Sequence, residues 1–470
     1  MNPRWFGSVA ALIACAGLAS AQAPMPAEVT SSTPQSPASL VPVNNVPSTS
    51  TAQPPKTTEV KPASASSEGT APASAPAAPP AAVAVDPAAV SPAGVEGTFA
   101  PGGSYFDDNC APYRHFWVRT EYLVWWLKNM PLRTVLGTIP DADASMLELP
   151  ENAITPRFGN QTVNFGALSG ARIEVGAGLD RDSTWGISGE FFQLENGSRG
   201  ETVTSNGSGS PTLGPVFFDP KIGKQVILLF SVPGTATGTA GDIVDNRLWG
   251  FEVDARRRLP TIFSDRLDFI IGYRHIQFDE SLDAGATTTA INTAPSPVSE
   301  ITYFDHFGAR NNFDGAVIGL ESEYDVGHCF LDVRGKFGLG NNHESYTVFG
   351  VTNFTSTLSS FPSQQFPGGV LAQPTNSGTF SRNRVDFLGE ITVNGGIRFW
   401  ENHAKVYVGY NFLGLSKVLR AGQVIDDVNS NVVASEQGPM RTIAVSAPAP
   451  RIDDGRFWAE GVNLGLSFEF

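Results

Sequence analysis

The sequence predicts an all-β protein. It is read as an antiparallel, up-and-down transmembrane β-barrel of about ten strands, with twelve as the alternative count, preceded by a disordered Pro/Ala/Ser-rich segment. Three observations carry this reading. The C-terminal residues Val462, Leu464, Leu466, Phe468 and Phe470 recur at every second position, with Asn463, Gly465, Ser467 and Glu469 between them. A strand sends successive side chains to opposite faces, so one face here is apolar and the other polar. No run of 18 apolar residues follows the N-terminal region, which leaves a barrel as the way to span a membrane. Long and short connections alternate between the strand-like segments, the signature of an outer-membrane meander.

The chain opens with the basic Met1-Asn2-Pro3-Arg4, an apolar run from Trp5 to Leu18 and the small residues Ala19-Ser20-Ala21. This reads as a secretory signal peptide over residues 1–21. Leu12-Ile13-Ala14-Cys15 also resembles a lipobox, which leaves lipidation of Cys15 open. Residues 22–112 are the expected linker. They are mostly Ala, Pro, Ser, Thr and Val, with no aromatic residue before Phe99, too little apolar surface to offset ordering entropy. The barrel is expected over 113–470, with the linker in the periplasm. The formal charge of −15 argues against nucleic acid as a partner, because phosphate binding needs an excess of Lys and Arg.

The strands follow in order. In the first, Phe116, Val118, Thr120, Tyr122, Val124 and Trp126 oppose Trp117, Arg119, Glu121, Leu123 and Trp125. The second sets Ile173 and Val175 against Arg172 and Glu174, and the third sets Trp185, Ile187 and Phe191 against Ser188 and Glu190. Glu252, Asp254 and Arg256 oppose Phe251 and Val253, and Asp268 and Arg274 oppose Phe269, Ile271 and Tyr273. Glu321 opposes Ile318 and Leu320, Asp332, Arg334 and Lys336 oppose Val333 and Phe337, and Glu390 and Arg398 oppose Phe387, Ile391 and Phe399. Lys405, Tyr407 and Asn411 oppose Val406, Val408 and Tyr410, and the C-terminal strand completes ten. Long loops are expected after Trp126, over 197–246, 281–312 and 349–384, and after Leu419. Lys224–Phe230 and Tyr346–Phe349 are strand-like pieces that would raise the count to twelve if they join the wall.

Phe116-Trp117-Val118-Arg119-Thr120-Glu121-Tyr122-Leu123-Val124-Trp125-Trp126 resembles the opening strand of the planctomycete-type outer-membrane β-barrel protein families (BBP). Asn164-Phe165-Gly166 and Asn312-Phe313-Asp314-Gly315 are similar to the strand entries of those families. The resemblance implies location and fold and brings no activity or functional residues.

The inward face carries both signs of charge: Arg119, Glu121, Arg172, Glu174, Glu190, Glu252, Asp254, Arg274, Arg334, Glu390 and Arg398 form the expected lumen network. A barrel of this size is narrow enough for side chains to fill much of it. That predicts a structural or surface-interaction role, with a narrow solute channel as the alternative. Val462, Leu464, Leu466, Phe468 and Phe470 are the expected assembly signal for the barrel-assembly machinery, and outer-membrane lipids are the expected surroundings. An extracellular ligand is not readable. A hydrolase would draw on His275, Asp279, Asp283, Asp305 and His306, but their order matches no catalytic motif. No zinc spacing or phosphate loop occurs, so no enzyme activity, metal or cofactor is expected. Cys110 and Cys329 fall at the periplasmic side of the predicted topology, where a disulfide and two free thiols are both open.

Overall fold

A computed structural model describes residues 116–145, 152–291, 298–356, 362–401, 403–428, 433 and 447–470. The expected signal peptide, the expected linker and Cys110 lie outside them. Ten strands form the wall: β1 (Phe116–Leu127), β2 (Ala167–Gly178), β3 (Trp185–Leu194), β4 (Ala236–Arg258), β5 (Arg266–Ala290), β6 (Val298–Val326), β7 (Cys329–Ser356), β8 (Gly378–Phe399), β9 (Ala404–Leu419) and β10 (Asp454–Glu469). Each pairs antiparallel with its neighbours in sequence, and β1 pairs with β10, so the sheet closes on itself. Two further strands, Gly197–Thr204 and Gln364–Pro367, pair onto β4 and β7 from outside the ring. The count of ten stands, and twelve does not. Lys224–Ile227 joins a separate four-stranded sheet with Thr212–Asp219, and Tyr346–Phe349 is simply the interior of β7.

Closure is made residue by residue. Thr120 lies opposite Leu466 and Tyr122 opposite Leu464, and Phe116 and Phe470 exchange backbone hydrogen bonds at 3.2 and 2.8 Å. Val462, Leu464, Leu466 and Phe470 turn outward and are exposed, as an apolar face in contact with lipid requires. Register is fixed by inward pairs as well as by backbone. Arg119 faces Glu174, Glu121 faces Arg172, Glu252 faces Arg274 and Glu321 faces Arg334 across neighbouring strands, and opposite charges directly across a ladder stabilise that pairing. Two inward aromatic rings lie on glycines directly across the ladder. A Cβ on Gly176 would sit 2.0 Å from the Trp117 ring, and one on Gly465 would sit 2.2 Å from the Tyr407 ring.

The short connections match the expected turns. At Asp180–Ser183 the Asp180 carboxylate accepts from the Trp185 amide at 3.0 Å. Between β6 and β7 Gly327 sits at φ +65°, a conformation suited to glycine. The other end differs from expectation. Most of 281–312 is wall rather than loop, because β5 and β6 run on to 25 and 29 residues. Likewise β4 begins at Ala236, β7 continues to Ser356 and β8 starts at Gly378, which shortens the other two expected loops. A tilted membrane strand needs only about 9–11 residues. The five long strands therefore stand well beyond the bilayer as a curved extension.

The physical reason is visible along β5. Its outward residues are Phe269, Ile271 and Tyr273 low down, then Gln277, Asp279, Ser281 and Asp283. Its inward residues are Asp268 and Arg274 low down, then Ile276, Phe278, Leu282, Ala284 and Ala286, with Glu280 among them. The side-chain alternation never slips; the polarity assigned to each face exchanges near His275. Below that level the outside meets lipid and above it the outside meets water. Exposed aromatic residues mark the band, with Phe116, Phe470, Trp185, Tyr324, Phe399 and Trp400 at the turn end and Tyr122, Trp126, Phe191, Tyr273, Phe387 and Tyr410 above.

Candidate functional site in the barrel lumen

Three layers fill the interior. At the turn end a polar vestibule of about 530 Å³ is lined by Trp117, Arg119, Arg256, Glu323, Arg398 and Lys405, among others. Arg398 bonds to Glu323 and Asp325 there, and the Lys405 ammonium reaches Glu323 at 2.8 Å and Glu469 at 2.7 Å.

Above it lies the ion-pair network. Arg334 donates to Glu174 at 3.0 Å, Glu321 at 3.1 Å and Glu190 at 3.3 Å. Arg256 donates to Glu321 at 2.5 Å, Glu174 at 2.7 Å and Ser188 at 2.8 Å. Arg119 reaches Glu321 at 2.8 Å. Arg274, with no exposed surface, donates to Glu252 at 2.5 Å and lies 3.2 Å from Glu390. Lys336 bonds to Glu252 and sits 3.4 Å from Asp254. Arg172 reaches Asn411 at 2.8 Å and Glu121 at 3.2 Å, and Tyr407 donates to Glu121 at 2.9 Å. Every cation touches more than one acid, the arrangement that a low-dielectric interior demands before it will hold charge.

The third layer is apolar. Leu123, Trp125, Phe192, Leu248, Ile276, Phe313, Val317, Leu388 and Leu413 form one buried cluster across the lumen. The two layers are joined by cation–π contacts, Arg172 over Trp125 and Arg274 over Phe192, each 5.4 Å from the ring centroid. Higher still, Arg420 and Glu280 form a fully buried pair at 2.7 and 2.5 Å. Asn311 brackets the Leu419 backbone, accepting at 2.7 Å and donating at 2.9 Å. Above this level the long connections fold inward, and Met130, Leu132, Leu213, Phe230, Val370, Leu371 and Val424 pack against Phe307 and Tyr346 of the wall.

Of the residues the sequence nominated for the network, Arg119, Glu121, Arg172, Glu174, Glu190, Glu252, Asp254, Arg274, Arg334 and Glu390 are brought together. Arg398 stands apart at the vestibule. The Glu280–Arg420 pair was missed because both residues fell in or beside segments read as loops; the inward parity that Glu280 shares with Arg274 was the available signal. The acids and histidines weighed for a hydrolase do not converge. His275 pairs with Asp314 at 2.8 Å, Asp279 with Arg310 at 3.0 Å and His306 with Asp283 at 2.5 Å, all on the outer surface. Asp305, next to His306, points the other way into the extension.

A closed ten-strand antiparallel barrel with an apolar outer band, aromatic girdles and a charged interior defines an outer-membrane β-barrel protein. Residues 117–470 match the family described as Putative beta barrel porin-7 (BBP7), and the chain belongs to that family. Among curated proteins none matches. Among solved structures, the outer-membrane protease OmpT from Escherichia coli is similar at 12% identity and a TM-score of 0.37, covering 76% of this chain and 98% of that one. A Pseudomonas aeruginosa FadL homologue follows at 8% identity and a TM-score of 0.20, covering 76% and 90%. The toluene transporter TodX of P. putida gives 8% and 0.18, covering 77% and 91%. These likenesses are too distant to bear on what this chain does.

Proposed function

We propose that this barrel is a non-conducting, non-catalytic membrane anchor that presents its extension and loops as a structural or interacting surface outside the cell. The observation that carries this reading is the apolar layer around Trp125 and Phe192 seated directly on the ion-pair network. A solute path would have to cross both, and ten strands leave little spare width. The expected course is export by the signal peptide, insertion by the barrel-assembly machinery and residence among outer-membrane lipids.

One observation favours the narrow-channel reading that the family description suggests. Several buried lumen atoms, including both Glu390 carboxylate oxygens and Arg274 Nε, lack a hydrogen-bond partner in the protein, as a partly hydrated network would leave them. Single-channel recording of the refolded full-length chain separates the two. Silence at all voltages is expected; steady unitary current that changes ion selectivity in Glu390→Gln would replace the anchor with a channel.

A further inference from the structure

Within the extension, one row of inward residues crosses four strands. Asp242 of β4 lies opposite Ala284 of β5, Ala284 opposite Asp305 of β6, and Asp305 opposite Gly350 of β7. Ala284 and Gly350 leave open space beside the acids, and residues 368–377 of the β7–β8 connection fill it. The Asp305 carboxylate accepts three consecutive amides of that segment, from Leu371 at 2.7 Å, Val370 at 2.9 Å and Ala372 at 3.2 Å. The Thr352 hydroxyl donates to the Gly368 carbonyl at 2.7 Å. Gln373 and Asn376 complete the fold of the segment, donating to the carbonyls of Gly369 at 2.7 Å and Leu371 at 3.2 Å. Val370, Leu371, Ala372, Gln373 and Asn376 are all buried. The fit is close. A Cβ on Gly369 would fall 2.0 Å from Asp305 Oδ1, and one on Gly350 would fall 2.6 Å from the Gly369 nitrogen.

The charge balance around this seat is one-sided. Asp242 and Asp305 are both buried, and neither takes part in an ion pair among the described residues. Among the described residues, Tyr303 of β6 and Tyr346 of β7 are the other ionisable groups packed in the core with the segment, which itself has none. Inward cations lower in the wall are already engaged, Arg420 by Glu280 and Arg382 by Glu344.

We propose that residues 368–377 are a plug latched into the extension by Asp305, and that proton uptake by the Asp242–Asp305 row holds it, so that the plug loosens as the medium turns from acid to neutral. Burial pushes Asp305 up to about 7, outweighing the three amides that favour its charged form. Burial also raises Asp242 well above its usual range, and the charge on Asp305 adds to that. An acid raised in the latched state binds its proton more tightly there than in the released state, where an ordinary aspartate titrates near 3.8. The Asp305 contribution is therefore complete below about pH 4, declines as pH rises, and is gone above about pH 7, and Asp242 adds a contribution of the same sign. On the anchor reading proposed above, the layers lower in the lumen stay closed, and the latch changes only which surface is displayed.

Hydrogen exchange at the Val370–Ala372 amides of the full-length protein in detergent tests this. After correction for intrinsic rates, protection is expected to fall between pH 4 and 7, by up to about tenfold per pH unit for the Asp305 proton alone. The Asp242→Asn, Asp305→Asn double variant should lose that slope, and Gly369→Val should be unprotected at every pH. Protection in the wild type that is flat from pH 4 to 8 would overturn the proposal, whatever the variants do. So would a full slope in the double variant, or wild-type protection in Gly369→Val.

Discussion

The lower barrel and the extension are built from the same strands with the same alternation, yet they are inverses of one another. In the membrane band the core is arginine and glutamate and the surface is Ile318, Leu320, Phe337 and Leu464. In the extension the core is Leu282, Phe307, Val348 and Leu371, and the surface is mainly polar, with Gln277, Asp279, Asp283 and Asn353 beside the exposed Ile243, Phe304 and Phe349. What a strand calls inside is set by the solvent on its other face. Where lipid takes the apolar side chains, the residues left for the lumen are polar, and they persist only because each charge finds several partners. Where water takes the polar ones, the lumen becomes an ordinary protein core, filled by loops because half the wall has ended.

That contrast can be broken in graded ways. The largest effect should come from the seam. Leu464→Lys combined with Leu466→Lys places two charges in the lipid band, at about 2–4 kcal/mol each near mid-membrane, and both lie on the strand that closes the ring. No folded, heat-modifiable band should reach the outer-membrane fraction; normal insertion would mean the facing of β10 is misassigned. Next, Arg274→Gln removes the buried cation that Glu252, Glu190 and Glu390 share in the lower core, leaving Lys336 on Glu252 and Arg334 on Glu190, and should cost about 3–5 kcal/mol, read as a fall in thermal midpoint. An unchanged midpoint would show that water, not Arg274, balances those acids.

Phe307→Ala asks the same question of the upper core, where the expected loss is about 3–5 kcal/mol with its origin in lost packing. It should leave membrane insertion intact, and failure to insert would tie the two halves into one folding unit. The smallest effect belongs to the water-facing surface. Arg310→Ala removes an exposed partner of Asp279 and should change stability by less than about 1 kcal/mol. A loss several times larger would mean that this face is packed against something.

The same contrast explains how much was legible in the sequence. The membrane band was read strand by strand, and its network residues with it, because apolar-out and polar-in alternation over about ten residues is what lipid imposes. The seam was readable from Val462 to Phe470 for the same reason. Residues 281–312 were taken for a loop because the alternation continues there with its polarity exchanged: Leu282, Ala284 and Ala286 now point inward while Asp279 and Asp283 point out. The expectation of a membrane-length strand then ended β5 too early, and Glu280 was lost with it. The Asp305 latch was beyond reach from sequence, since it joins β6 to a segment more than sixty residues away through backbone amides, which leave no residue signature.

The two aromatic rings laid on glycines bear on how this lumen can change over evolutionary time. Trp117 and Gly176, and Tyr407 and Gly465, are paired across the ladder so closely that a side chain at either glycine would run into the ring opposite. Any side chain at either glycine must be matched by a smaller ring opposite, and a smaller ring must be matched by new bulk. Descent should therefore treat each pair as one heritable character, with the two positions drifting in step among relatives while the charges between them are reshuffled more freely.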